Sequence, residues 1–275
     1  MGMTLDPDDI ARYRREGFLS PLRVMTESDM AIRLRALEEI EQSRAGRLAP
    51  HHNIKAHLLI PWVWDLVHHP EIVGPVRALL GPDVLCWAAG FFDKRPGDQK
   101  YVSWHQDSTY WGLSEPTGLT AWVALTPSMP ENGCMRVSPR THHVPLAHAD
   151  TGDRSNMLPG REIVVAEVDE AAAVDIRLSP GEMSLHHSLL IHGSQPNTSG
   201  QRRCGLAIRY IPGHVTRKSS ETGSATLVAG RDHGHFALEQ PPESAFHPDA
   251  LARYAVIQRQ WMRDVFSEFS RGTAS

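Results

Sequence analysis

Val84-Leu-Cys-Trp-Ala-Ala-Gly-Phe-Phe92 follows a Gly81-Pro82 break and opens a region of different texture. Before it, apolar residues recur every three or four positions. From Val84 on they come in short runs bounded by Gly, Pro and Asn, at 84–92, 101–107, 119–125, 134–138, 161–168, 174–178, 182–192 and 203–211. Eight short segments at this spacing, with no helical pattern between them, predict a β-sandwich or barrel rather than βαβ units.

Outward from this region the pattern is helical. Asp6 and Pro7 form an N-cap and N1 pair, with Ile10, Tyr13 and Arg14 following at helical spacing. From Ser28, the residues Met30, Leu34, Leu37 and Ile40 make one apolar stripe, and Glu71 to Leu80 ends at Gly81. The tail from 248 to 269 repeats the pattern with Leu251, Tyr254, Ile257, Trp261 and Val265. The expectation is one domain over 1–275, mainly β with flanking α: a barrel core at about 84–212 and helical flanks at 5–81 and 248–269, packed outside one sheet. Residues 213–247, rich in Gly, Ser and Pro, read as a long loop or insertion. The polar stretch Pro145 to Gly160 reads as a mobile lid.

The chain has 275 residues, a net charge of −4 and no Lys/Arg run, which argues against a nucleic-acid partner. Three cysteines at unpatterned spacing suggest neither a disulfide framework nor a zinc ribbon, and no apolar run suggests a leader or membrane span. A cytoplasmic protein is expected. Histidine is abundant at 16, and most of these side chains must be ordinary.

Tyr101-Val-Ser-Trp-His-Gln-Asp107 has strand texture, and in a strand positions i and i+2 share a face. His105 and Asp107 would then point together into the barrel. Leu189-Leu-Ile-His-Gly-Ser-Gln-Pro-Asn197 places His192 near the end of an apolar strand. Two histidines and a carboxylate with open positions form the facial triad of non-haem Fe(II) oxygenases; a closed zinc site would want a fourth ligand, while a catalytic zinc site on two histidines and one carboxylate stays open as an alternative. If a hairpin tip lies between Asn197 and Thr198, Arg203 faces His192 and can grip a carboxylate, with Gly205 and Ala207 leaving room for a ligand. A one-residue shift would turn Arg202 inward instead.

Trp104-His-Gln-Asp107, Trp122-Val-Ala-Leu125, Glu131-Asn-Gly-Cys-Met-Arg-Val137, His192-Gly-Ser194 and Arg203 together resemble the phytanoyl-CoA dioxygenase family, over about Gly17 to Pro212. The resemblance implies a double-stranded β-helix (jelly-roll, cupin-like) fold, with iron on His105, Asp107 and His192. It also implies that Arg203 holds the distal carboxylate of 2-oxoglutarate, with Ser194 at that end and Trp122 lining the pocket; Gln106 and Phe92 are further pocket candidates. The implied reaction consumes O2 and 2-oxoglutarate, releases succinate and CO2, and hydroxylates a small organic molecule such as an amino acid, a phosphonate or a natural-product intermediate. Halogenases similar to this family carry a small residue where this chain has Asp107, so hydroxylation is expected. The alternative is a cupin-like isomerase or a non-catalytic metabolite-binding barrel, which would not need Arg203. No basic rim for an acyl-CoA is apparent, so a small polar substrate is expected.

The remaining candidates have plainer readings. His186 and His187 are expected to be half-exposed strand residues, Lys94 is a candidate to face the pocket, and His51-His-Asn-Ile-Lys-Ala-His57 reads as a solvated loop. Tyr110 and Trp111 follow the iron motif and could border the substrate.

Overall fold

The computed structural model describes residues 2–158, 162–219 and 222–272, without the side chains of Tyr110, Glu162, Met262 and residues 264–272. The expectations for Tyr110 and for Val265 in the helical stripe therefore lie outside the described side chains. In chain order the elements are α1 (Pro7–Glu16), β1 (Phe18–Arg23), α2 (Glu27–Gln42), α3 (Pro61–Val67), α4 (Pro70–Leu80), β2 (Val84–Lys94), β3 (Val102–His105), β4 (Leu119–Ala124), β5 (Met135–Val137), β6 (His148–Asp150), β7 (Glu162–Val164), β8 (Val174–Ile176), β9 (Glu182–His187), β10 (His192–Ser194), β11 (Arg203–Pro212), β12 (Ser224–Ala229), β13 (Ala237–Leu238) and α5 (Pro248–Gly272).

A seven-stranded sheet runs β1-β9-β4-β11-β2-β12-β13 and a four-stranded sheet runs β3-β10-β5-β8. Strands β2, β11, β4 and β9 of the first, with the four of the second, make the double-stranded β-helix. Trp122, Ala124 and Ala207 of the larger sheet pack directly on Met135, Val137 and Ile176 of the smaller. The other face of the larger sheet is apolar at Leu206, Ile208, Leu119, Ala121, Met183 and Leu185, and buries itself under the helices. The flanking helices thus close the outside of one sheet, as expected from the stripes.

Helix α1 starts where Asp6 Oδ1 accepts the Asp9 N–H at 2.8 Å and stops at Gly17, whose φ of 86° a side chain would resist. The first eighty residues are not wholly helical, however. Phe18–Arg23 forms β1, paired antiparallel with β9 at the sheet edge. This strand has only six residues and a Pro at its centre, so its periodicity is too short to register.

Two strand expectations also change. The run 182–192 divides into β9 and β10, because Ser188 to Ile191 turn the chain from one sheet to the other: the Leu190 N–H donates to His187 O at 2.8 Å. The run 161–168 yields β7, which pairs with β6 in a separate two-stranded ribbon outside the barrel. Residues 213–247 contain β12, which extends the larger sheet beside β2, and β13. Among the described residues no helix is long and apolar enough to cross a membrane.

Candidate active site

His105 is the last residue of β3, and its cross-strand partner is His192, the first residue of β10. This register brings the two imidazoles to a centroid distance of 4.1 Å. Asp107 is not in the strand, contrary to the i, i+2 expectation. It opens a 3-10 turn, and extended backbone at Gln106 returns its carboxylate to the same side, with Oδ1 3.5 Å from His105 Nε2. One potential ligand atom from each of His105, Asp107 and His192 lies within 4.8 Å of the others, and all three residues are buried.

The tautomers follow from the hydrogen bonds. His105 Nδ1 lies 3.0 Å from both Ser103 O and His192 O, and His192 Nδ1 lies 2.9 Å from Leu190 O. A carbonyl can only accept, so each Nδ1 carries the proton and each Nε2 offers its lone pair to the cavity, the arrangement of metal-binding histidines. Burial, reinforced by His105 and His186, pushes His192 well below the usual imidazole range and keeps it neutral. Burial alone would raise the Asp107 carboxyl, but Arg209, His105 and His186 outweigh it and hold the group ionised. Thr120 Oγ1 fixes the carboxylate by donating to Oδ2 at 2.7 Å.

Arg203 is also buried, and its Nε has no hydrogen-bond partner among the described residues. Its guanidinium carbon stands 4.8 Å from the centre of the Trp122 ring, a cation–π contact. Burial lowers it to about 10, so the side chain remains a cation at neutral pH. A buried cation with no counter-ion is costly unless an anion completes it. Lys94, directly opposite Arg203 in the β2–β11 register, donates to Ser194 Oγ at 2.6 Å. Burial, with Arg203 beside it, depresses the amine to about 6. One buried cation, Arg203, and one amine that an anion would recharge, Lys94, thus stand together at one end of the cavity, and the donor set fits a carboxylate.

Residues 13–205 match the phytanoyl-CoA dioxygenase (PhyH) family. The chain belongs to the phytanoyl-CoA dioxygenase family. Among curated proteins, it is 26% identical to L-proline trans-4-hydroxylase of Streptomyces griseoviridis over 76% of this chain and 90% of that one. Among solved structures, a non-heme monooxygenase, ThoJ in its apo form, superposes with a TM-score of 0.85 at 32% identity, covering 95% of this chain and 99% of the other. CytC3 with Fe(II) and alpha-ketoglutarate gives a TM-score of 0.66 at 25% identity, covering 90% and 97%.

Several expectations need correction within this phytanoyl-CoA dioxygenase-family site. Arg203 does face inward with Phe92, Trp122, Ser194 and the triad around one cavity, but not through a hairpin with β10. The two strands lie in different sheets, and the direction of Arg203 comes from the two-residue alternation of β11 against β2 and β4. Arg202 points out, bonded to Asp93 Oδ1 at 2.7 Å and Glu41 Oε1 at 2.7 Å. Gly205 does not leave room for a ligand, since the Trp122 ring already fills that space.

Gln106, expected beside the co-substrate, points away between its two ligand neighbours. Its amide donates to Val144 O and Leu189 O and accepts from Leu146 N. The stretch 145–158 is correspondingly anchored: His148 Nε2 accepts the Gln106 N–H at 3.0 Å and Asn156 Nδ2 donates to Ser103 Oγ at 2.9 Å.

His186, expected to be half-exposed, is buried, with Nε2 3.7 Å from Asp107 Oδ2 and neither ring nitrogen hydrogen-bonded among the described residues. No sequence signal marked it, because its pairing with Thr120 of β4 is set by the fold. Arg209 was missed altogether; it shares the inward face of β11 with Arg203 and lies 4.0 Å from Asp107. The 51–57 stretch is no solvated loop. Asn53 pairs with the Phe91 backbone, and Lys55 and His57 are buried against Glu239.

Proposed function

We propose that this protein is an iron(II)- and 2-oxoglutarate-dependent dioxygenase that hydroxylates a small organic molecule. The observation that carries the reading is the buried guanidinium of Arg203, which makes no ion pair among the described residues, in the same cavity as His105, Asp107 and His192. A barrel that only binds metal, or a cupin-like isomerase, has no use for that cation. A dioxygenase that must hold a dicarboxylate does.

His105 and His192 would bind iron through Nε2, already freed of protons by the carbonyls that fix Nδ1, and Asp107 would supply the anionic ligand. Arg203 would receive the distal carboxylate of 2-oxoglutarate, with Ser194 and Lys94 beside it and Trp122 as a flat wall. When bound, iron(II), 2-oxoglutarate and O2 supply the oxidising power, and 2-oxoglutarate leaves as succinate and CO2. The apolar lining at Phe92, Met135 and Ala207 excludes water from that chemistry. Asp107 in the carboxylate position supports hydroxylation.

Anaerobic titration of the protein with Fe(II) and 2-oxoglutarate tests this. A visible metal-to-ligand charge-transfer band should grow to one equivalent. Arg203→Ala should retain Fe(II) and lose the band at 2-oxoglutarate concentrations that saturate the unsubstituted protein. Absence of the band in folded, iron-loaded protein overturns the proposal.

A further inference from the structure

Phe92 and Arg209 border a second cavity as well as the one that holds the triad. The second is a chamber of about 510 Å³ between β2, the 50–54 stretch and the α5 helix. Its volume lies within the range, roughly 300–1,000 Å³, that encloses a drug-sized ligand. A single amino acid would leave most of it to water. Trp87, Phe91, Met157, Leu158 and Trp261 give it broad apolar walls, and Trp87 is backed by Trp111 at a ring separation of 5.3 Å. Arg209 alone among the described lining residues carries a formal charge.

Arg209 also stands at the end of the chamber nearest the triad. Its guanidinium makes no hydrogen bond within the described residues, and its nearest carboxylate is Asp107 at 4.0 Å. An Asp107 that ligates a metal gives its charge to that metal, which leaves Arg209 as a partly buried cation facing an apolar space.

We infer that this chamber holds the substrate, and that the substrate is a bulky, mainly apolar ring system bearing an anionic group that Arg209 receives. The role of the chamber in hydroxylation rests on the dioxygenase reading above; its ligand class rests on the chamber alone. The oxidised carbon then lies a few bonds from the anionic group, because the cation and the triad are neighbours. This departs from the small polar substrate expected from the sequence, where the absence of a basic rim could be read but the size of the interior could not.

The probes are 1-anilinonaphthalene-8-sulfonate and its uncharged relative N-phenyl-1-naphthylamine, titrated by fluorescence into the anaerobic protein with Fe(II) and 2-oxoglutarate. Both should saturate one site, the sulfonate about tenfold more tightly, as a charge-assisted contact requires. Arg209→Gln should erase the preference by weakening the sulfonate and leaving the neutral dye unchanged. Gln258→Trp, which fills the chamber from the surface of α5, should abolish both, while the charge-transfer band reports that the barrel is intact. No saturable binding, binding indifferent to Gln258→Trp, or an equal loss of both dyes in Arg209→Gln would each overturn the inference. A chamber that binds dye in a protein without the band would leave the ligand class standing and remove the dioxygenase reading alone.

Discussion

Gly205→Ala adds one methyl group and should damage co-substrate binding out of proportion to its size. A Cβ at 205 would lie 2.1, 2.2 and 2.6 Å from Cζ2, Cη2 and Cε2 of Trp122. These are atoms of a rigid ring, and Trp122 is only 4% exposed, so it has no free direction in which to yield. At an open site the same change would stabilise by about 0.4–1 kcal/mol through the unfolded chain. Here overpacking costs roughly 1–3 kcal/mol, and moving the ring also forfeits the cation–π contact with Arg203, worth about 0.5–2 kcal/mol. The expected net loss is about 1–4 kcal/mol, a fall in melting temperature on the order of 2–8 °C for a chain of this size. The affinity for 2-oxoglutarate should drop about tenfold, read from the charge-transfer titration. Trp122→Leu in the same chain removes the ring that is struck, so the double variant should be less destabilised than the sum of the two single ones. A Gly205→Ala protein with unchanged stability and unchanged 2-oxoglutarate affinity would refute both the contact and its link to Arg203.

Three further outcomes are expected. Lys94, depressed to about 6 in the folded protein, should gain a proton when a dicarboxylate arrives beside it; 2-oxoglutarate binding should therefore weaken as pH rises above 6, and Lys94→Met should flatten that dependence in isothermal titrations at several pH values. Thr120→Val removes the 2.7 Å bond to Asp107 Oδ2 and should cost about 10–100-fold in Fe(II) affinity, measured by chelator competition. Glu239 is buried with Lys55 and His57, and Lys55 and His57 hold it at about 2 against the opposing effect of burial. Its contribution to stability is thus complete above the unfolded value near 4.5 and lost as pH falls towards 2, and Glu239→Gln should cost about 3–5 kcal/mol at neutral pH by leaving Lys55 unpaired, as urea unfolding would show.

The barrel was legible because its strands obey a local rule, while the exceptions arise where longer-range contacts decide. Val84 to Lys94 and Arg203 to Pro212 are long enough for their pattern to be read. By contrast, β10 has three residues, and nothing in Leu189-Leu-Ile191 says that the chain turns there rather than continuing as a strand. The triad was readable from residue types in a recurring order. Gln106 was misplaced because adjacency in sequence is not adjacency in space on extended backbone. His186 and Arg209 escaped because a polar residue in a strand is ordinarily a solvated one; only the sheet packing shows that these side chains are buried or half-buried around the site.

Strand β11 explains why these residues belong together. Its inward positions, 203, 205, 207 and 209, follow one another at the two-residue period, while Cys204, Leu206, Ile208 and Tyr210 sink into the core under the helices. Along one edge of the cavity this sets the buried cation Arg203, a glycine that accommodates the Trp122 ring, an alanine that widens the space, and a second cation, Arg209, at the chamber. A register slip of one residue would bury Arg202 and expel Arg203, replacing the whole series at once. The outward ion pairs of Arg202 with Asp93 and Glu41 oppose that slip, since they hold the strand to β2 and α2 from the other side. The outer layer and the cavity are therefore fixed by the same alternation: the residue that clamps the strand to the outer layer is the neighbour of the one that faces the triad's cavity.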